Sequence, residues 1–187
     1  MARFSYDLPA MATDFSAALS MVSSIGGMSV LHAPSGCMGD YCSFDEPEWV
    51  RNPGMTYCSM LKEDETIFGN DDIIIDKMVN GCERMHPPFM ALIGSPITAL
   101  IGTDLNGIAD LTEERTGVPV IAIDTTGFGN YQDGLLKAFK AIADRFQLDG
   151  DTVNDVDIVG INKFDYHIGD DLGYIASRLR PHHRPRN

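Results

Sequence analysis

The chain has 187 residues, 44% hydrophobic and 22% charged, which is enough apolar content for one domain with a substantial core and the start of another, and too much for a disordered chain. Its formal net charge of −13 argues against nucleic acid as a partner, because phosphate binding runs on clustered Lys and Arg, and favours a partner with a basic docking face. No apolar run approaches the roughly 20 residues needed to span a bilayer, and the N-terminus lacks a basic stretch followed by an apolar core. The expected location is the cytoplasm, where four cysteines read as thiols or metal ligands rather than disulfides.

Taken in order, Phe15, Ala18, Leu19 and Val22 recur at helical spacing behind Thr13 or Asp14 as N-cap, with Gly26 and Gly27 as a stop. The apolar run Met28–Leu31 predicts a buried strand, and a second run predicts another at 56–59, followed by an acidic turn. Asp71 and Asp72 suit the first turn of a helix on which Ile74, Ile75, Met78 and Cys82 share one face, so Cys82 is assigned to the core. Strands are predicted at 89–94 and 118–124, separated by a helix over 103–115 that Gly117 ends. Residues 130–146 carry an apolar helical stripe, and a polar linker at 149–154 precedes a last strand at 156–161. The basic tail with His182 and His183 reads either as a metal- or anion-binding end or, as its composition favours, as a disordered one. Buried strands alternating with helices predict an α/β fold, a Rossmann-like parallel sheet with helices on both faces.

Cys37 follows Ser35 and Gly36 where the first strand gives way to a loop or helix start, a context in which backbone N–H groups can stabilise a thiolate. Cys58 lies in the second apolar run. Two thiolates at the ends of neighbouring strands can share one soft metal centre; the alternative is that both are small buried hydrophobes. No C-x-x-C pair or zinc-type Cys/His spacing is present, and no G-x-S-x-G elbow marks a hydrolase. His32 and Tyr41 flank Cys37 and are either modulators of such a centre or ordinary packing residues. Gly127 and Gly129, in G-F-G-N-Y-Q-D, sit after a strand and before a helix, so they read either as a phosphate or anion loop or as a tight strand-to-helix turn.

Four blocks stand in a fixed order: HAPSGC at 32–37, KEDETIFG at 62–69 with Cys58 before it, SPITALIGTDLNGI at 95–108, and GVPVIAIDTTGFGNYQDG at 117–134. Together they resemble the N-terminal domain of the nitrogenase component 1 family, which includes the dark-operative protochlorophyllide reductases. The resemblance implies that residues 1–150 form an N-terminal Rossmann-like domain and that 151–187 give the first βα unit of a second. It also implies an iron–sulfur cluster, [4Fe–4S] or P-cluster-like, at an interface of two related subunits. Cys37 matches the first ligand position and Cys58 is the candidate for the second. The third ligand position holds Ser95 and Pro96 instead of cysteine, so Ser95 would supply an oxygen, a less favoured donor to such a cluster than sulfur. Cys42 is the substitute, yet five residues from Cys37 it points about 140° away on an ideal helix, so both could bind one cluster only if the Gly39 region is irregular. In the family the Gly127–Gly129 loop lies near the same interface.

The implied partners are an identical or homologous component 1-like subunit and an ATP-dependent iron–sulfur reductase. The implied function is that of a subunit or fragment of a nitrogenase-like oxidoreductase, passing electrons through the cluster to a substrate. A cofactor-assembly scaffold of the same family is the second reading, and a non-catalytic Rossmann-like binding module with core cysteines the third. The chain alone is expected to be inactive, because the family's active-site cofactor is enclosed by several domains. For the same reason its apolar surface is expected to be incompletely covered and to drive self-association.

Overall fold

A computed structural model of the chain describes residues 12–42, 54–69 and 71–146. The strand expected at 156–161, the second domain it would open and the basic tail lie outside the described residues. No helix among those described is long and apolar enough to cross a membrane.

The elements run α1 (Asp14–Ser24), β1 (Met28–Leu31), α2 (Ser35–Asp40), β2 (Thr56–Cys58), α3 (Glu63–Phe68), α4 (Asp71–Met85), β3 (Met90–Ile93), α5 (Pro96–Ile101), α6 (Leu105–Thr116), β4 (Val120–Ile123) and α7 (Tyr131–Phe146). The four strands form one sheet in the order β2-β1-β3-β4, and every pairing is parallel. Each observed strand falls within its predicted range. The strand expected from 118 begins at Val120 because Pro119, which has no N–H, offers only its carbonyl, which accepts from the Met90 amide at 2.8 Å. The acidic turn after Cys58 is a helix, α3, with Glu63, Asp64 and Glu65 in its first turn and the Lys62 amide donating to the Glu65 carboxylate at 3.3 Å.

The central strands β1 and β3 read MSVL and MALI, and every one of their residues is buried. Alternate side chains serve opposite faces. Leu31, Ala91, Ile93, Ile121 and Ile123 pack with Phe15, Leu19 and Val22 of α1 and Ala138 of α7. Met28, Val30, Met90, Leu92 and Val120 pack with Ile74, Ile75, Met78 and Cys82 of α4 and Ile108 of α6. Each large aliphatic side chain so buried contributes roughly 1.5–3 kcal/mol, and this two-sided burial is what the continuous apolar runs encode. Cys82 sits in the second cluster, as its helical spacing predicted.

Met38 and Tyr41, after β1, join the α1 face, whereas α6, after β3, covers the opposite face. The connections from these neighbouring strands therefore diverge, which opens a crevice at their carboxyl ends, the usual place for a site in such a sheet. Ser95 spans it: its hydroxyl donates to the His32 carbonyl at 2.7 Å.

Candidate metal centre

Cys37, Cys58 and Ser95 all follow or end a strand at the carboxyl rim of the sheet. The register pairs Leu31 with both Cys58 and Ile93, so Cys58 stands level with Ile93 across β1, and Ser95 follows two residues beyond Ile93. Cys37 lies in the first turns of α2, six residues after β1 ends. Cys37 and Cys58 are each half-buried and pack against the same apolar cluster, on the α1 face. The Cys37 amide donates to the Pro34 carbonyl at 3.2 Å.

Cys58 is held by its surroundings on two sides. Its thiol donates to the Ala33 carbonyl at 3.2 Å, with the Pro34 carbonyl at 3.7 Å, and its sulfur accepts the Met60 amide at 3.4 Å. Met60 reaches that geometry in the left-handed region, φ 56°, where a residue with a Cβ is strained. Burial pushes the Cys58 thiol up; the Met60 N–H opposes this, the sulfurs of Cys37 and Cys42 add to it, and Lys77 opposes it.

Cys42 is exposed, and the backbone passes from α-helix to a wider π turn at Tyr41 and Cys42. Burial pushes the Cys42 thiol up as well.

Ser95 is fully buried. Besides donating to His32, its hydroxyl accepts the Thr98 amide at 3.4 Å as the N-cap of α5. In this arrangement it is a cap and a brace, not an open oxygen ligand. Among the described residues no three His, Cys, Asp or Glu side chains converge closely enough to hold a metal ion.

The glycine loop is already filled. Asp14, 1% exposed, accepts the Gly127 amide at 2.7 Å on one carboxylate oxygen, and the Thr126 amide at 2.9 Å and hydroxyl at 3.3 Å on the other. The anion that the loop binds is the chain's own carboxylate, so of the two sequence readings the strand-to-helix turn describes Gly127 and Gly129. A Cβ at Gly127 would run into Pro96, and one at Gly129 into Asp14.

Behind Cys58 lies a polar cluster that the sequence did not reveal. The Ser59 hydroxyl is 2.9 Å from His32 Nδ1 and accepts the Ala33 amide at 3.1 Å. The Ser59 carbonyl accepts from Lys77 Nζ at 2.7 Å, and Lys77 stands 3.6 Å from the buried Glu65 carboxylate. Burial, then Lys77, pushes His32 down to about 4 against the pull of Glu65, so its imidazole is neutral at physiological pH. The signal for this cluster was a lysine and a glutamate on two separate helices, and only the fold brings them together.

The family model of nitrogenase component 1 type oxidoreductases matches residues 13–175. The nitrogenase iron-molybdenum cofactor biosynthesis protein NifE of Clostridium pasteurianum is 26% identical over 163 residues, 81% of this chain and 33% of that protein. NifE of Sinorhizobium fredii is 30% identical over 105 residues, 53% of this chain and 21% of that protein. The nitrogenase molybdenum-iron protein beta chain of Bradyrhizobium diazoefficiens is 24% identical over 121 residues, 58% of this chain and 23% of that protein. The chain therefore spans about a fifth to a third of the length of these curated relatives. A solved structure, "Nitrogenase Cp1 at pH 5", superposes with a TM-score of 0.61 at 18% identity, over 76% of this chain and 31% of that one, and shares the fold.

Proposed function

Since the chain belongs to the nitrogenase component 1 type oxidoreductase family, we propose that it is a half-site subunit that holds an iron–sulfur cluster against a partner subunit, with Cys37, Cys58 and Cys42 as its thiolates. The observation that carries this reading is the meeting of Cys37 and Cys58 on one rim and one apolar cluster. The Met60 amide already points at the Cys58 sulfur, and N–H donors to sulfur are among the features that tune such clusters. When bound, the cluster would supply one-electron storage and transfer.

The chain's own residues set the conditions. Without metal, burial keeps Cys58 and Cys42 protonated, so loading must release protons and is favoured at higher pH. Ser95 braces the His32 carbonyl and so fixes the relation of β1 to α5 beneath the thiols. The three sulfurs do not converge as they stand, so the α2 end carrying Cys42 must move inward, or a partner subunit must complete the site. Partners of this kind are an identical or homologous component 1-like subunit and, for electron delivery, an ATP-dependent iron–sulfur reductase in the cytoplasm. In this reading residues 151–187 open a second domain.

The experiment is anaerobic purification with iron and sulfide analysis and EPR. A brown, EPR-active protein that loses iron on Cys37→Ala supports the reading; a colourless protein with no bound iron rejects it. The second reading, a cofactor-assembly scaffold, is favoured by the NifE match that covers 81% of the chain. Transfer of iron and sulfide to an apo acceptor without reductase-dependent turnover would select it.

A further inference from the structure

The strand β2 is the edge of the sheet, and a cavity of about 600 Å³ opens between it and α4, within the size range of small-molecule sites. Its apolar wall is built from buried Met28 and Val30 of β1 and buried Met78 of α4, with exposed Tyr57 and Met85 at the margin. Three of these five are methionines, whose unbranched, polarizable side chains adapt to the shape of an occupant. The polar wall is one face of α4. Lys77, Asn80 and Arg84 follow one another there at helical spacing, the first and last two turns and roughly 10 Å apart. Gly81 takes the place between them; a Cβ there would stand 3.3 Å from the Met28 methyl, so the missing side chain keeps the space above that methionine open.

The two cations differ in what holds them. Lys77 donates to the Ser59 carbonyl at 2.7 Å and lies 3.6 Å from the Glu65 carboxylate. Arg84 makes no ion pair among the described residues, although the chain carries 27 acidic residues against 14 basic ones. No Asp or Glu among the described residues lines the cavity either. A cation in the last turn of α4 suits the helix dipole, which accounts for Arg84 by itself but not for an apolar cavity cleared of carboxylates beside it. Asn80 is turned back on its own helix, its amide donating to the Asp76 carbonyl at 2.8 Å, so Arg84 is the group left to meet an occupant. We propose that this cavity binds an amphipathic oxyanion: a small molecule with one carboxylate or phosphate group on an apolar body. The head pairs with the planar Arg84 guanidinium, whose fork matches two oxygens, and the body lies over the methionines. The site calls for no metal and stands apart from the reading of the cysteines.

Calorimetric titration of the full chain with decanoate and with decyl phosphate, below their micelle-forming concentrations, tests this, with decylammonium and inorganic phosphate as comparisons. One saturable site is expected for at least one of the two amphipathic anions, about tenfold or more tighter than for either comparison. Arg84→Gln, at an exposed position, is expected to weaken that binding about tenfold or more, because a charge-assisted pair is lost. Arg115→Gln removes the same charge from a surface pair with Asp76, outside the cavity, and should leave the affinity within about twofold. If Arg84→Gln melts below the wild type, Arg84→Lys, which keeps the charge and loses the fork, carries the comparison, with a several-fold loss expected. The absence of a saturable site for both anions, equal affinity for decylammonium or for inorganic phosphate, or equal loss in the Arg84 and Arg115 variants overturns the proposal.

Discussion

The Cys58 thiol donates to the Ala33 carbonyl at 3.2 Å, which joins the end of β2 to the turn that leads into Cys37. Converting Cys58 to a ligand breaks this bond, and the Met60 amide remains to hold the sulfur. Cys58→Ala is expected to abolish iron uptake while costing about 1–2 kcal/mol in urea unfolding, because a half-buried sulfur and one weak bond are lost. Cys82→Ala, deep in the opposite core, should cost a similar amount and leave iron content unchanged. Loss of iron in both variants would mean that general destabilisation, not ligation, controls uptake.

Met60 holds its left-handed backbone with a side chain that is 58% exposed, so the side chain contributes little to set against the strain. Met60→Gly removes a penalty of roughly 1–2 kcal/mol but adds freedom to the unfolded chain. Together they predict a net gain of about 0.5–1 kcal/mol with the Cys58 sulfur still capped, measured by chemical denaturation. A substitution that destabilises the protein would show that the Met60 side chain has a packing role its exposure does not suggest.

His32 carries the pH dependence. Its folded pKa, pushed down to about 4, lies below the ordinary 6.5, so the unfolded chain binds the proton first as pH falls. The stability it supports is fully present above pH 6.5 and is lost as the pH falls from 6.5 through 4, by roughly 3 kcal/mol at the limit. Urea unfolding at pH 7, 6 and 5 should show this decline in the wild-type chain and a flatter profile in His32→Gln. Parallel profiles would assign the acid sensitivity to other groups.

The sheet was legible because β1 and β3 are buried on both faces, and MSVL and MALI have no polar residue larger than serine to confuse the pattern. Cys82 was legible for a similar reason, since its helix repeats Ile74, Ile75 and Met78 on one face. The rim was legible only as positions. That Cys37 and Cys58 share it follows from strand ends in a parallel sheet, but which groups hold Cys58 depends on contacts over 24 residues and more. The filling of the glycine loop by Asp14 was beyond sequence reading, because the bond joins positions 113 residues apart. Asp14 looked like an N-cap, which hid its second task.

Asp14 satisfies two amides of the β4–α7 turn from the first residue of α1. Asp14→Ala leaves both part-buried amides without their carboxylate and is expected to cost about 1–3 kcal/mol. Gly134→Ala should be at least as damaging, because its Cβ would occupy the place of the Asp14 backbone where α1 and α7 meet. Thermal unfolding of both variants checks this. Near-wild-type melting of Gly134→Ala would show that the two helices are able to separate without penalty.

The carboxyl rim leaves large apolar side chains in solvent: Phe68 is 84% exposed, Ile67 65% and Ile101 43%, and the three line one cavity of about 370 Å³ with His32 at its wall. Apolar side chains grouped in this way suit a surface that a partner would cover. The rim is also acidic, with Glu65, Asp71 and Asp104 lining the same cavity, so a covering partner would present an apolar centre and basic margins. Phe68→Glu is expected to weaken self-association of the chain at least tenfold without lowering its thermal stability, because little of the phenyl ring is buried within the chain. Light scattering over a hundredfold concentration range reads this directly. A wild-type chain that stays monomeric throughout, or a Phe68→Glu variant that associates as strongly as the wild type, would exclude this rim as the self-associating surface.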